Sequence, residues 1–410
     1  MREVTSPRNL RVFLAVYEEQ SGARAAERLL RAPSAITRVI QEIESHLGLR
    51  LFDRLPVGMS PTAAGHLVYQ RAKAIEQELL QARKELLEHG AARNAPIFSM
   101  MVSIPQMETL IKLSELGQMS SVAESLGVSQ PAISDALRRL EESMNLQLFE
   151  RSSRRLSITL PARLLVFRLR RVLSEIRRLS ADVSQLASTV QGEVVISVLP
   201  SSKTVLMPKA IARFVGAHPN VQVSVVDAPF EVLFADMRSG EIDFIYTGID
   251  AKCMHPDLNV EPLSTDRLVV VARTDHPLAL KPSLTAQDLK RYPWILRDPS
   301  SPSRQLLNRA FKEMGIDAPT IAVHGGDLGL LRGLLLYSEM LTAVSPHNLS
   351  PELDLGNLTI LDVELPGCQR NTGFVWRKDL EPSAACLQLM RNIRHEVLRT
   401  EPVRIAPGAP

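Results

Sequence analysis

A stretch near the start of the chain returns 97 residues later without a gap, so one folding unit must be built twice. Ala26, Glu27 and Leu29 recur as Ala123, Glu124 and Leu126, Ala35-Ile36-Thr37 as Ala132-Ile133-Ser134, and Glu44 as Glu141. Leu49-x-Leu51-Phe52-x-Arg54 recurs as Leu146-x-Leu148-Phe149-x-Arg151, and Thr62 as Thr159. Self-similarity at a fixed offset limits the architecture before any helix or strand is assigned.

The second copy shows what the unit is. Residues 121–126 read as the end of a short helix, and Gly127 and Val128 turn the chain, since glycine takes positive φ at no steric cost. Ser129 stands as an N-cap, with Gln130 and Pro131 in the first turn of the next helix. Ala132, Ile133, Ala136, Leu137 and Leu140 then recur at helical spacing and are expected to face inward. Gln130, Ser134, Asp135 and Arg138 remain outside, on the part of a second helix that enters the major groove in a helix-turn-helix. Spacing alone fits an ordinary helical hairpin equally well.

Each copy is followed by a long helix with an apolar seam. Val68, Ala72, Ile75, Leu79, Ala82 and Leu86 alternate at spacings of four and three. Leu165, Leu169, Val172, Ile176, Leu179, Val183 and Leu186 do the same at the same offset. Such a pattern suits a coiled-coil pair or two amphipathic core helices. Ala72 and Ala82 stand where the second seam has Leu169 and Leu179, so one is thin where the other is bulky, which suits pairing of unlike helices. A connector at 90–106 is long enough to let the two helices pair antiparallel within one chain, and its apolar part, 97–104, is expected to lie against something. An internal pseudo-dimer of two heads is the expectation, with a homodimer carrying four heads as its rival.

The residues of the second copy resemble a known family. A-x-x-L-x-x-S-Q-P-A-I-S, a Leu-Glu pair and L-F-x-R are similar to the N-terminal signature of LysR-type transcriptional regulators. Ala123, Leu126, Ser129, Gln130, Pro131, Ala132, Ile133, Ser134, Leu140, Glu141, Leu148, Phe149 and Arg151 carry the match. The resemblance implies a winged helix-turn-helix with a dimerising linker helix. DNA contacts are then expected from Gln130, Pro131, Ser134, Asp135, Arg138, Arg151, Arg154 and Arg155 in the second head, and from Ser34, Thr37, Arg38 and Arg54 in the first. Both heads depart from the family. Asp135 stands where Arg is usual, and Ala32-Pro33-Ser34 replaces Ser-Gln-Pro. Arg can read guanine or grip phosphate, whereas Asp only accepts, for example from cytosine N4. The copies are thus expected to read different bases, and either could survive as scaffold.

Net charge is +3 overall but uneven: residues 1–190 carry 26 basic and 20 acidic side chains, and residues 191–410 carry 22 and 25. The densest patch, 151–178, holds nine arginines against the single acid Glu175 and reads as a phosphate-contacting surface or a solvated face. Cys253, Cys368 and Cys386 are widely spaced without C-x-x-C, which argues against a disulfide framework or structural zinc and fits a reducing compartment. No signal peptide and no 18-residue apolar run is present, so a cytoplasmic protein without membrane contact is expected.

From Gly192 strands and helices alternate, the texture of an α/β domain with ligands at strand ends. The order resembles the effector domain of LysR-type regulators, itself periplasmic-binding-protein-like. That implies subdomain one at 192–263 and 348–399, subdomain two at 264–347, and a cleft between them. Helix starts on both lips supply the candidates for a small carboxylate or sugar-like effector: Ser201 and Ser202 on one, Ser300, Ser301, Ser303 and Arg304 on the other, with Thr247 at a strand end nearby. Each serine also suits plain N-capping. His324 and Asp327 could line the cleft or cap.

The fold expected is thus multidomain: two α-rich winged helix-turn-helix modules (1–66 and 107–163), linker helices at 67–89 and 164–190, and an α/β effector domain at 192–399 before a tail at 400–410. No P-loop, G-x-S-x-G, dinucleotide fingerprint or zincin motif occurs, so neither an enzyme nor a cofactor is expected. Partners expected are double-stranded DNA, a small-molecule effector, further copies of the chain and RNA polymerase. The alternative is an architectural or oligomerisation protein in which one head has lost sequence readout.

Overall fold

The computed structural model describes residues 2–399 except 56–57, 152–155, 187–191, 251–252, 300 and 318; the side chains of 2, 3, 151, 180 and 184–186 also lie outside the description. The first module runs α1 (Pro7–Glu19), α2 (Gly22–Leu29), α3 (Pro33–Leu47), a hairpin of β1 (Phe52–Leu55) and β2 (Gly58–Pro61), and the long α4 (Ala63–Leu87). The second runs α5 (Ile104–Leu116), α6 (Met119–Leu126), α7 (Gln130–Met144), β3 (Phe149–Arg151), β4 (Leu156–Ile158) and the long α8 (Leu160–Leu186). Helix after helix starts 97 residues beyond its counterpart. A shared device holds each wing: Glu44 accepts from the backbone N–H of Leu51 at 2.7 Å and Phe52 at 3.3 Å. Glu141 accepts from Leu148 at 2.7 Å and Phe149 at 3.2 Å. Thr62 and Thr159 in turn donate to the carbonyls of Arg50 and Gln147.

The chain takes left-handed backbone at the same turns in both copies, whatever residue is there. Gln20 (φ 50°) matches Gly117 (64°), Leu30 (53°) matches Gly127 (65°), and Gly48 (68°) matches Asn145 (51°). In α7, Ile133 and Leu137 are buried as the spacing requires, Ala136 and Leu140 are partly so, and Ala132 is exposed.

α4 and α8 pair antiparallel inside the single chain. Their seams are buried, from Val68 through Leu86 and from Leu165 through Val183, and one apolar cluster runs through both heads and both linkers. Ile97, Phe98, Met100, Val102 and Ile104 of the connector belong to that cluster. The connector is therefore core, and it is shorter than 90–106: Ser103 already opens α5 through a capping box with Gln106.

The remainder forms two sheets. Subdomain one holds β5 (Gly192–Val198), α9 (Leu206–Ala217), β6 (Val221–Val225), α10 (Phe230–Ser239), β7 (Phe244–Gly248) and β8 (Leu258–Arg267). Subdomain two follows with β9 (Val269–Arg273), α11 (Ala286–Leu289), β10 (Trp294–Leu296), α12 (Pro302–Glu313), β11 (Ile321–His324), α13 (Leu328–Tyr337), β12 (Thr342–Val344), α14 (Ser350–Asp354) and β13 (Leu358–Ile360). The chain returns through β14 (Gln369–Arg377) to α15 (Ala384–Arg399). The first sheet has the order β6-β5-β7-β14-β8, the second β12-β9-β13 with β10-β11 joined to it by a Trp294–Leu341 bridge.

The subdomain limits expected near 264 and 347 are displaced. β8 stays in the first sheet through Arg267, paired with β14, while β13 pairs with β9, so 348–360 belongs to subdomain two. The true crossings lie at Leu268 and Cys368. Strand pairing decides this, because residues 348–360 carry no signal for which sheet they join.

Candidate DNA-reading heads, linker clasp and effector cleft

On α3, Ser34, Thr37 and Arg38 are exposed, as is Arg54 on the wing strand β1. Thr37 donates to the Pro33 carbonyl at 3.1 Å and Arg38 holds Glu42 at 2.8 Å one turn on. On α7, Gln130, Pro131, Asp135 and Arg138 are exposed and Ser134 is half-buried. Arg138 bonds Asp135 at 3.1 Å and Glu142 at 2.9 Å, so its charge is met within its own helix. Arg151 lies on β3 with its side chain outside the described residues, and Arg154 and Arg155 lie outside them altogether.

The linkers meet through two equivalent clasps. Arg71 bonds Glu175 at 3.0 Å and Asp182 at 2.8 Å, while Arg168 bonds Glu78 at 2.9 Å and Glu85 at 3.1 Å. Each residue of the first clasp lies 97 positions from its counterpart in the second, so the pair has an internal two-fold. Burial opposes the charge of Arg71, but Asp182 and Glu175 outweigh it and raise its pKa. Burial likewise works against the Glu85 carboxylate, and Arg168 nevertheless holds its pKa below the ordinary range.

α8 is also joined to subdomain one, and α4 touches it at fewer points. Arg178 reaches Asp243 at 2.8 Å with both side chains almost fully buried, and Asp243 accepts from the Val195 N–H at 2.8 Å. Arg177 donates to the Gly240 carbonyl at 2.9 Å, Arg171 bonds Asp379, and Arg71 donates to the Glu381 carbonyl at 3.0 Å. The arginine-rich stretch is therefore largely not a phosphate surface. Arg168, Arg170, Arg171, Arg177 and Arg178 are taken up by acids and carbonyls of α4, α5 and the effector domain. A buried charge must find a partner, and these partners come from distant parts of the chain.

A cleft of about 240 Å³ opens where the chain crosses between subdomains, lined in part by Ser201, Ser202, Tyr246, Ser264, Thr265, Asp266, His347 and Thr372. Ser201 and Ser202 lie there as expected, in the short 3-10 turn Pro200–Ser202, although the Ser202 hydroxyl donates to the Leu199 carbonyl at 2.6 Å. Thr247 does not line it. Successive strand residues face opposite sides, and it is Tyr246 that reaches the cleft, its hydroxyl 3.2 Å from Thr372. Ser264 is 2.7 Å from Thr372, completing a hydroxyl triad that no local pattern announces.

The second serine lip behaves as a cap. Ser301 is the N-cap of α12 and accepts from the Arg304 N–H at 3.4 Å. Arg304 is buried and bonded to Asn308 at 2.8 Å, Ser303 is half-buried, Ser300 lies outside the described residues, and none of Ser301, Ser303 and Arg304 lines the cavity. Asp327 caps α13 by accepting from Leu330 at 2.7 Å, and His324 is exposed on β11.

Arg297, just after β10, escaped notice in the sequence. It has no hydrogen bond or ion pair among the described residues, and burial, with repulsion from Arg370, lowers its pKa against the pull of Asp227. Arg370 itself holds Asp266 of the cleft at 3.0 Å. Among the described residues no cluster of His, Cys, Asp or Glu suits a metal ion, and no helix is long and apolar enough to cross a membrane.

Known proteins resemble this chain at the level of family, sequence and fold. The family described as bacterial regulatory helix-turn-helix protein, lysR family, matches twice, at residues 7–66 and 104–163, and the LysR substrate binding domain matches residues 187–397. The HTH-type transcriptional regulator GalR of Pseudomonas putida is 37% identical over 395 residues, covering 96% of this chain and 98% of that protein. The SDS degradation transcriptional activation protein of a Pseudomonas species is 28% identical over 309 residues, covering 74% of this chain and 99% of its own length. The crystal structure of CbnR, a LysR family transcriptional regulator, overlays with a TM-score of 0.52 at 18% identity, covering 72% of this chain and 99% of that one, a likeness of fold. With two matches to the reading head, one to the domain that follows, and a relative alike over nearly its whole length, this chain belongs to the lysR family of DNA-binding transcriptional regulators.

Proposed function

We propose that a small carboxylate or sugar-like metabolite, taken up in the cleft between the subdomains, alters how the two heads sit on DNA. The observation that carries this reading is the joint between the linker pair and subdomain one: Arg178 of α8 holds Asp243 and Arg71 of α4 donates to the Glu381 carbonyl, which ties both linkers to one half of the cleft. A ligand that favours one closure of the subdomains shifts a two-state assembly only by its differential affinity for the two states. Six hydroxyls on the lining (Ser201, Ser202, Tyr246, Ser264, Thr265 and Thr372) suit a ligand rich in oxygen.

DNA contact is proposed through Ser34, Thr37, Arg38 and Arg54 of the first head and Gln130, Pro131, Ser134, Asp135, Arg138, Arg151, Arg154 and Arg155 of the second. Arg38 and Arg138 are each tied to a glutamate one turn on, but α7 adds Asp135 as a second acid on Arg138, which favours a second reading in which that head is scaffold and only the first reads sequence. Three measurements test this. Affinity for duplex DNA between 50 and 200 mM salt should fall by orders of magnitude if several phosphates are gripped. Melting temperature should rise with small organic acids or sugar acids and rise less in Ser264→Ala, which removes a lining hydroxyl; no shift with any of them would refute the effector reading. Gln130→Ala with unchanged sequence preference would favour the scaffold reading.

A further inference from the structure

We propose that one chain grips one DNA site with both of its heads, and that the two half-sites of that site differ in sequence. This rests on the DNA-reading function above and concerns what is read and by how many chains. In a homodimeric reader the two-fold axis lies between chains and the operator mirrors it. Here the axis lies inside one chain. It relates Arg71, Glu175 and Asp182 to Arg168, Glu78 and Glu85, and the apolar seam between the linkers is covered by the chain's own second helix. Among the described residues no part of the seam is left open for a partner's linker. The connector is buried in the same core, and the Ala92 N–H bonds the Met144 carbonyl at 2.7 Å, so the end of the first linker is also fastened to the second head.

The two faces presented to DNA are chemically unlike at two-fold-related positions. The first head offers Arg38 and then Gln41; the second offers Asp135 and then Arg138 at the same places, and all four are exposed. Arg suits the O6 and N7 of guanine, Gln the N6 and N7 of adenine, and Asp the N4 of cytosine. A perfect inverted repeat would satisfy one head and misfit the other. The preferred site is therefore an inverted repeat broken at the base pairs these residues meet.

The test uses the full-length chain and duplexes with a randomised core. After selection, the shortest bound duplex is examined by sedimentation for the number of chains it carries. Two unlike half-sites and one chain per duplex are expected. Arg38→Ala should relax one half-site by about 5- to 100-fold and Arg138→Ala the other. Because both heads act in cis, a mixture of the two variant chains should bind no better than either alone. A symmetric motif carrying two chains, a motif with a single half-site, or recovery of binding in the mixture overturns the proposal while leaving DNA reading intact. Absence of any retained DNA at 50 mM salt overturns DNA reading itself.

Discussion

α4 and α8 descend from the same pattern and occupy equivalent places, yet most of the grip on the effector domain comes from α8, with Arg71 of α4 adding one bond to the Glu381 carbonyl. The arginines that make its joint with subdomain one and α5, Arg170, Arg171, Arg177 and Arg178, stand at the positions of Lys73, Ala74, Leu80 and Gln81 in α4. On α4 those residues stay local: Lys73 bonds Glu18 and Glu76, Gln81 bonds Glu85, and Leu80 is exposed. The face toward the partner helix, by contrast, keeps its chemistry in both, Arg71 with Arg168 and Glu78 with Glu175. Duplicated helices thus retain the surface that pairs them and diverge on the surface that meets something new.

The largest break in this comparison is expected at the joint. Arg178→Met strands the buried Asp243 carboxylate and should lower unfolding free energy by about 3–5 kcal/mol in chemical denaturation. Gln81→Met, its counterpart on α4, should stay within about 0.5 kcal/mol. Equal losses would mean that the two faces are not specialised.

The seam gives the next effect. Leu169→Ala opens a cavity in the linker core and should cost about 2–5 kcal/mol. Ala72→Leu, which makes the first seam resemble the second, overpacks a fully buried site and should cost about 1–3 kcal/mol. A stabilising Ala72→Leu would show that the thin seam is a void.

The helix-turn-helix corners sharpen the comparison further. Gly127 has open space around a built Cβ, so Gly127→Leu should lose only the left-handed penalty of about 1–2 kcal/mol. Leu30 already bears that strain in the first head, and Leu30→Gly should raise the melting temperature. The smallest contrast lies at the helix starts. Ser103→Ala removes a capping box and should cost about 1 kcal/mol, whereas Ser6, which caps α1 without a side-chain bond, should tolerate alanine with a few tenths lost.

Much of the first half was legible because its information is local and given twice. Seam residues, recognition-helix faces and wing strands could each be checked against a second copy. The effector site was less so. Ser201 and Ser202 reach the cleft, but from a 3-10 turn ahead of α9 and not from a helix start, and it is Tyr246 and not its neighbour Thr247 that faces the cavity, since strand parity relative to a cavity is invisible without the sheet. Ser301 and Arg304 offered the same local pattern and proved to serve α12 alone.

The sequence by itself determined that there are two heads, which residues form the linker seam and most of the outward side chains on α7, but not that α5 starts inside the connector, that Ala132 is exposed or that Ser134 is half-buried. Period and offset carry these facts, and both are properties of neighbouring residues. Only the tertiary structure decided that the arginines after the second wing are interior glue, that residues 348–360 join subdomain two, and which hydroxyls meet at the cleft. Each of these depends on partners brought from 55 or more residues away, as Arg170 and Glu115 or Arg178 and Asp243 are, and an arginine's neighbours in sequence do not say whether a carboxylate, a phosphate or water will meet its charge.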